Sequence, residues 1–203
     1  MVPYNVAELG PGHFHRGTAG VLAAQDHPAL RAWQPLFDAA GVPLQLHADL
    51  LPVQWAKLLL NLNNPVNALS GLPLRAELME RDFRRVLAAL QDEALAALQA
   101  AGIRPARITP LPPHWLPRVL RLPTPLFQRV ARRMLAIDAN ARSSMADDLA
   151  LGRRTEIDAF CGEVVRLAQA HGLQAPLNAR LQRLVEADPR PRSGQALRAE
   201  LGL

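Results

Sequence analysis

Residues 55–65 have the sequence WAKLLLNLNNP, an apolar run that contains one lysine and three asparagines. At about 100° per residue, Lys57, Asn61 and Asn64 fall on one face of a helix. Lys57 is the only lysine among the 23 lysines and arginines of the chain. Because a lysine can lose its proton when it is desolvated, whereas arginine stays charged, this position indicates a functional group. The alternative is a surface lysine whose ammonium extends into solvent.

Pro65 predicts an irregularity close to these asparagines. Its ring nitrogen cannot donate a hydrogen bond to the carbonyl of Asn61, so one continuous helix would kink there. In the alternative interpretation, residues 63–65 mark the end of one helix and the start of another. Both interpretations keep Lys57 and Asn61 on the first helical segment.

The composition places the chain among globular proteins. Its 203 residues suffice for one domain, or for one domain and part of another. Hydrophobic residues make up 49% and charged residues 20%, and no apolar stretch approaches the roughly 18 residues of a membrane span. No leader-like segment is visible, so we expect a cytoplasmic protein without membrane contact. The single cysteine, Cys161, excludes an intrachain disulfide and a cysteine-built metal site, and it is predicted to be a core residue.

The positive charge does not predict a nucleic-acid function. The net charge is +5 and the isoelectric point is near 10.8. The arginine pairs are scattered and interleaved with acidic residues, and no aromatic set accompanies them that could stack bases. Solvated helix faces explain these arginines.

The chain changes character near residue 50. Before it, residues 1–9 alternate like a strand, residues 14–18 resemble a return strand, residues 29–40 have helical spacing, and residues 42–46 resemble another strand. A piece of this size is too small for a sheet domain with its own core, so it resembles the tail of something larger. Beyond residue 50, helices are predicted at about 53–69, 78–101, 125–139, 144–171 and 177–187. Residues 104–125 contain seven prolines and are predicted to form a loop, with a short helix around 115–122.

A second group of polar residues lies at residues 143–158, SSMADDLALGRRTEID. Ser143 or Ser144 can cap a helix that begins here. If that helix is continuous, Glu156 falls on its apolar face, where a carboxylate needs a cation or several donors. Lys57 is then its natural partner, and the alternative is a surface pair with Arg153.

Together, these two motifs resemble the 2-dehydropantoate 2-reductases, or ketopantoate reductases. The first motif is W-x-K-x3-N-x2-N-P-x-N-A-L at residues 55–69, and the second is S-S-M-x2-D-x3-G-x2-T-E-I-D-x3-G at residues 143–162. G-x3-P-x-N follows at residues 172–178. The resemblance covers about residues 50–187, and residues 1–49 resemble the end of that family's cofactor domain.

The resemblance implies a mainly α fold. Residues 50–203 would form an all-helical substrate-binding bundle like the C-terminal domain of 6-phosphogluconate dehydrogenase, and residues 1–49 a partial α/β Rossmann remnant. It implies an NADPH-dependent reduction of an α-keto acid, here 2-dehydropantoate to pantoate, in pantothenate and coenzyme A biosynthesis. The implied partners are the keto acid and a second copy in a homodimer, without nucleic acid, membrane or metal.

The resemblance also implies a role for each motif residue. Lys57 resembles the catalytic lysine that gives a proton to the carbonyl oxygen of the substrate. Asn61 and Asn64 resemble the asparagines that orient the substrate, and Ser144 the serine that binds it. Glu156 resembles the acid that completes the catalytic site and contacts the cofactor.

Two features depart from the family pattern. The second asparagine more often follows the lysine by eight residues than by seven, so that Asn63 or Asn64 could take its role. No G-x-G-x-x-G motif follows a strand, and the G-P-G of residues 10–12 lacks the third glycine and the helix start. We therefore expect the chain to carry the substrate half of the site and to be inactive alone. The alternative is a truncated, non-catalytic helical module for interaction or dimerisation.

Overall fold

The computed structural model of the chain describes residues 1–2, 6–16, 20–132, 135 and 138–203, with the main chain alone at residues 7–9 and 16. Within these ranges the fold is mainly helical, as predicted, with two small sheets near the N-terminus. The expectations for residues 3–5 and 17–18 lie outside the described residues. No helix in the described ranges is long and apolar enough to cross a membrane.

The N-terminal part contains a hairpin and a βαβ unit. Strand β1, Val6–Gly10, pairs antiparallel with β2, His13–Arg16, which confirms the predicted return strand. Strand β3, Leu22–Gln25, pairs in parallel with β4, Leu44–His47, and helix α1, Pro28–Ala39, connects them. The sequence predicted α1 and β4 but missed β3, which has only four residues.

Helix α1 remains open to solvent along its apolar face. None of its residues is buried, and Trp33 and Leu36 are 55% and 69% exposed. The small core of this region consists of Ala23, Leu50 and Val53. These observations agree with the prediction that the first 49 residues are too few to build an independent core.

Ten helices follow in the described residues, several of them joined by tight turns. They are α2 Leu51–Asn61, α3 Asn63–Ser70, α4 Leu74–Met79, α5 Arg81–Ala100, α6 Leu116–Leu120, α7 Thr124–Val130, α8 Ser144–Ala150, α9 Glu163–Ala170, α10 Pro176–Ala187 and α11 Gly194–Leu201. A 3₁₀ turn at Pro113–Trp115 precedes α6, and a π turn at Asp158–Gly162 precedes α9. The short helix in the proline-rich segment was predicted, whereas α4 and α11 were not.

Helix α5 is the centre of the bundle. It contacts α3, α4, α6, α9, α10 and α11. Phe83, Leu90, Ala94 and Leu98 are buried at helical spacing along it. Helices that precede α5 in the chain and helices that follow it therefore both bury their apolar faces against it.

Arg84 fixes the proline-rich segment against α5. Its side chain is fully buried, and its guanidinium donates hydrogen bonds to the carbonyl oxygens of Leu78, Leu120 and Leu122 at 2.9–3.0 Å. The guanidinium also lies 4.3 Å from the ring centroid of Phe127. A buried arginine is tolerated here because carbonyl acceptors and an aromatic face replace its hydration.

Glu93 connects α5 to the start of α10. Its carboxylate accepts hydrogen bonds from the backbone N–H groups of Leu177 and Asn178 at 2.8 and 3.0 Å. It also accepts one from the Asn178 side chain at 2.7 Å. A negative group at this position satisfies unpaired N–H groups and interacts favourably with the positive end of the helix.

The predicted helix at residues 53–69 is two helices, as one of the two interpretations expected. Helix α2 ends at Asn61 and α3 begins at Asn63 rather than at Pro65. Leu62 between them has φ −59° and ψ −13°, which is still right-handed. The junction between α2 and α3 is therefore a one-residue interruption whose backbone stays in the right-handed helical region.

The prediction of one helix at residues 144–171 is wrong. Helix α8 ends at Ala150, and Gly152 adopts φ +64°. The N–H of Gly152 bonds to the carbonyl of Leu149, and that of Arg153 to the carbonyl of Asp148, a helix-ending pattern that favours glycine in the left-handed region. The chain becomes helical again only at Ile157.

The helix predicted at residues 125–139 is also shorter than expected. Helix α7 ends at Val130. The described residues beyond it, 131–132, 135 and 138–139, form turns or irregular structure.

Candidate active site

The candidate site begins on α2, whose inner side is firmly packed. Trp55, Ala56 and Leu59 are buried, whereas Lys57 and Asn61 are partly exposed. The Lys57 ammonium donates a hydrogen bond to the backbone oxygen of Val2 at 2.8 Å. Burial lowers the pKa of Lys57 below its ordinary value, because partial loss of water disfavours the charged form. Lys57 is therefore a partly desolvated ammonium at the surface of the bundle.

The asparagines continue the same surface across the junction between α2 and α3. Asn64 lies in the first turn of α3 and is partly exposed. Asn64 follows Lys57 by seven residues, about two helical turns. Because Leu62 between the two helices keeps helical torsions, we expect Asn64 to lie approximately on the face of Lys57 and Asn61. That Lys57, Asn61 and Asn64 form one substrate-binding face stays a prediction.

Asn63 is turned towards the interior and pairs with a buried carboxyl group. Its Nδ2 donates to Oε2 of Glu77 at 3.0 Å, and Glu77 is completely buried. This burial raises the pKa of Glu77 to about 8, although hydrogen bonds from Asn63 and Asn67 oppose the shift. Because Asn63 is engaged with Glu77, Asn64 is the better candidate for the second asparagine of the motif.

The start of α8 is fixed beside α3 by Ser143. Its hydroxyl donates to the backbone oxygen of Asn64 at 3.1 Å and accepts from the N–H of Ala146 at 3.2 Å. Its own N–H donates to Oδ1 of Asn67 at 2.9 Å. Ser143 is therefore the helix cap, and Ser144 is the exposed first residue of α8, which packs against α3.

Asn67 is a positioning residue that the sequence interpretation did not single out. It is completely buried, accepts the N–H of Ser143, and donates through Nδ2 to the carbonyl of Leu72 at 2.9 Å. The sequence contained one signal for this role. The side-chain amide of Asn67 lies within an apolar helix segment, and a buried amide needs hydrogen-bond partners.

The expected burial of Glu156 is wrong. Glu156 is exposed, and among the described residues it forms no ion pair with Lys57 or Arg153. Within the described ranges, α2 also makes no extensive contact with the helix that starts at Ile157. The break at Gly152 resets the helical phase, so the apolar stripe of α8 does not continue through Glu156. Its assignment to the catalytic site stays a prediction.

In the described part of the chain, the turns of the N-terminal region do not fit a dinucleotide pyrophosphate. The turn between β3 and α1 contains no glycine, and Asp26 lies there, bonded to Arg31. A carboxylate at this helix start would repel a phosphate. Gly10 and Gly12 belong to the β1–β2 hairpin, not to a turn between a strand and a helix.

No metal site is indicated in the described residues. They contain no cluster of three histidine, cysteine or acidic side chains that could hold a metal ion. Cys161 is buried, as predicted. Burial raises the pKa of its thiol well above the ordinary value, so it is a core residue rather than a nucleophile.

Comparison with known proteins agrees with this architecture. Residues 49–188 match the family described as ketopantoate reductase PanE/ApbA, C terminal. A 2-dehydropantoate 2-reductase of Caulobacter vibrioides is 30% identical over 179 residues, which are 87% of this chain and 55% of the relative. The chain thus spans about half the length of this curated relative.

Two solved structures share the fold. The PanE/ApbA family ketopantoate reductase of Ralstonia eutropha JMP134 superposes with a TM-score of 0.71 at 25% identity, covering 100% of this chain and 59% of that one. A structure described as dimeric ketopantoate reductase from Staphylococcus aureus has a TM-score of 0.69 at 18% identity, covering 92% of this chain and 60% of the other.

The helical bundle and the matched residues define the class of protein: the chain contains the C-terminal helical domain of an oxidoreductase family. The chain belongs to the ketopantoate reductase PanE/ApbA family.

Proposed function

We propose that this chain carries the substrate half of the site of an NADPH-dependent reductase that converts 2-dehydropantoate to pantoate. The observation that supports this proposal is the partial exposure of Lys57, Asn61 and Asn64 on α2 and the first turn of α3, against which α8 packs. Membership of the family and the name of the Caulobacter relative support the choice of substrate.

Lys57 is the proposed proton donor. Reduction places negative charge on the carbonyl oxygen of the substrate, where a nearby ammonium both stabilises that charge and supplies a proton. Its lowered pKa makes the proton easier to release than that of an ordinary lysine. One N–H is directed at Val2 in this structure, and an ammonium has three donors, so two remain for a substrate.

Neutral polar groups hold the rest of the substrate. The amides of Asn61 and Asn64 and the hydroxyl of Ser144 can bind its carboxylate and hydroxyl groups without competing for the proton of Lys57. Ser143 and Asn67 act through Ser144 by fixing its helix. Glu156 is proposed, from the resemblance alone, to complete the site and to contact the cofactor.

NADPH supplies a hydride when it is bound. Because the residues here do not fit its pyrophosphate, we propose that a glycine-rich βαβ segment outside this sequence holds it, as the division into residues 1–49 and 50–203 implies. The description of the Staphylococcus aureus protein as dimeric supports a homodimer for the complete enzyme.

Reconstitution tests this proposal. The purified 203-residue chain should show no ketopantoate-dependent oxidation of NADPH, because hydride transfer requires the reacting atoms to be held about 3–3.5 Å apart. A fusion to the N-terminal segment of the Caulobacter relative should restore turnover, and the same fusion with Lys57→Ala is the matched control.

Two outcomes would contradict the proposal. Steady turnover by the chain alone would show that the cofactor is bound by residues interpreted here as unsuitable. A folded fusion that binds NADPH but reduces no keto acid would favour the non-catalytic interaction module.

A further inference from the structure

A cavity lies between α5, α6 and the segments that flank them, and Leu60 of α2 and Asn63 of α3 border it. It has a volume of about 640 Å³, and its walls include Leu87, Leu111, Leu116 and Val119. Its lining, among the described residues, contains none of Lys57, Asn61, Ser144 and Glu156. The volume falls within the range of about 300–1,000 Å³ that is typical of small-molecule sites.

Among the described residues, Gln91 contributes a buried polar atom without a partner to the wall of this cavity. Gln91 lines the cavity and is 3% exposed. Its Nε2 donates to the carbonyl of Leu59 at 2.9 Å, which fixes the orientation of the amide. Its Oε1 is buried without a hydrogen-bond partner in the described part of the chain. A buried acceptor of this kind is costly unless something donates to it.

The oxygen of Asn63, which also lines the cavity, does not require a ligand. Asn63 Oδ1 and Glu77 Oε1 are both buried without partners, but these two groups are already joined by one hydrogen bond. The raised pKa of Glu77 keeps its carboxyl protonated at neutral pH, and such a proton can serve the amide oxygen. Of the described atoms, Gln91 Oε1 is therefore the oxygen in the cavity wall that still lacks a hydrogen-bond donor.

Two arginines give the edge of the cavity a positive charge. Arg129 and Arg132 belong to the lining and are exposed to solvent. In the described ranges neither forms an ion pair, and no acidic residue appears in the lining. A positive rim around apolar walls attracts a ligand that carries an anionic group.

We infer that this cavity binds a small amphipathic anion with an apolar body, an N–H or O–H group that donates to Gln91, and an acidic group between the two arginines. A single water would satisfy Gln91 but occupies only about 30 Å³ of liquid volume, so it would leave most of the cavity unfilled. The inference concerns binding and does not depend on the proposed reduction.

The dye 1-anilinonaphthalene-8-sulfonate tests this inference in the full chain. It combines aromatic rings, one N–H donor and a sulfonate, so fluorescence titration and calorimetry should show one saturable site per chain. Leu87→Trp should abolish binding by filling the cavity, and Gln91→Met should weaken it about fivefold to tenfold.

The double substitution Arg129→Gln/Arg132→Gln tests the rim without touching the core. It should weaken dye binding about tenfold by removing two partly exposed charge contacts. Arg153→Gln/Arg154→Gln, an equal charge change at two exposed residues outside the lining, should leave affinity within about twofold. Leu36→Ala provides the same control for the exposed apolar face of α1.

Several results would overturn the inference. These are the absence of saturable binding, equal losses in the two double-arginine variants, or loss in Leu36→Ala. If Leu87→Trp does not fold, the comparison of the double-arginine variants alone decides.

Discussion

At the scale of single residues, the proposed chemistry depends on Lys57 being a lysine. In a completed enzyme, Lys57→Arg should keep the positive charge and the fold yet lose about 10²–10⁴-fold in kcat, because guanidinium does not release a proton near neutral pH. Steady-state kinetics measure this, with Arg153→Lys as a control that should change little. If Lys57→Arg kept more than about a third of the turnover, which is far above this range, Lys57 would be only a charged anchor.

Glu77 predicts an unusual dependence of stability on pH. Its pKa in the folded protein, about 8, lies above the ordinary value of 4.5, so the folded state holds the proton more tightly. The resulting stability is fully present below about pH 4.5 and is lost as the pH rises through about 8. Glu77→Gln stays neutral and should avoid this loss.

Urea unfolding at pH 5.5, 7 and 9 measures that difference. Between the lowest and highest pH, the free energy of unfolding of Glu77→Gln should gain about 2–4 kcal/mol relative to the unsubstituted protein. Glu156→Gln, the same substitution at an exposed carboxylate, is the matched control. Parallel profiles for Glu77→Gln and the unsubstituted protein would show that Glu77 is ionised in the fold.

Local spacing was sufficient to predict that the residues of the first motif lie on helices, and their roles in a substrate site stay predictions. The lone lysine and its asparagines share α2 and the start of α3, so a short periodicity located them. Glu156 required knowledge of the helical phase across Gly152, and Asn67 and Glu77 required knowledge of which segments pack together. Neither kind of information is local to the motif.

At the scale of elements, the first turn of α8 connects the two motifs. Ser143→Ala removes the helix cap and the hydroxyl contact with Asn64, and it should lower the free energy of unfolding by about 1–2 kcal/mol. Ser144→Ala changes an exposed hydroxyl and should cost less than about 0.5 kcal/mol. Chemical denaturation compares the two, and equal losses would contradict the assignment of Ser143 as the cap.

Helix ends were predictable where glycine followed a complete periodic segment. Gly41, Gly102 and Gly172 all have φ near +70° just after a helix, in agreement with the sequence. Gly152 adopts the same conformation, but apolar residues on both sides suggested a continuous helix. Helices α4 and α11 have six and eight residues, too few for a clear period.

At the scale of the whole molecule, the contrast between a small α/β part and a helical bundle was visible in the sequence. The spacing of apolar residues changes near residue 50, and in the structure the described strands lie before α2 and helices follow it. The choice of α5 as the centre was not predictable, because α9, α10 and α11, which pack against it, lie far away in the chain. The boundary at residue 49 stays a prediction.

The central position of α5 has a consequence for the order in which backbone amides exchange with heavy water. Exposing α5 requires its neighbours on both sides of the sequence to separate, so its amides should exchange only through global unfolding. Helix α1, with no buried residue, should exchange through local opening. Mass spectrometry of peptic fragments should therefore show residues 86–98 as the slowest region and residues 31–39 among the fastest. Similar exchange rates in residues 86–98 and 31–39 would contradict this expectation, because they would mean that α5 is exposed by local opening rather than by global unfolding.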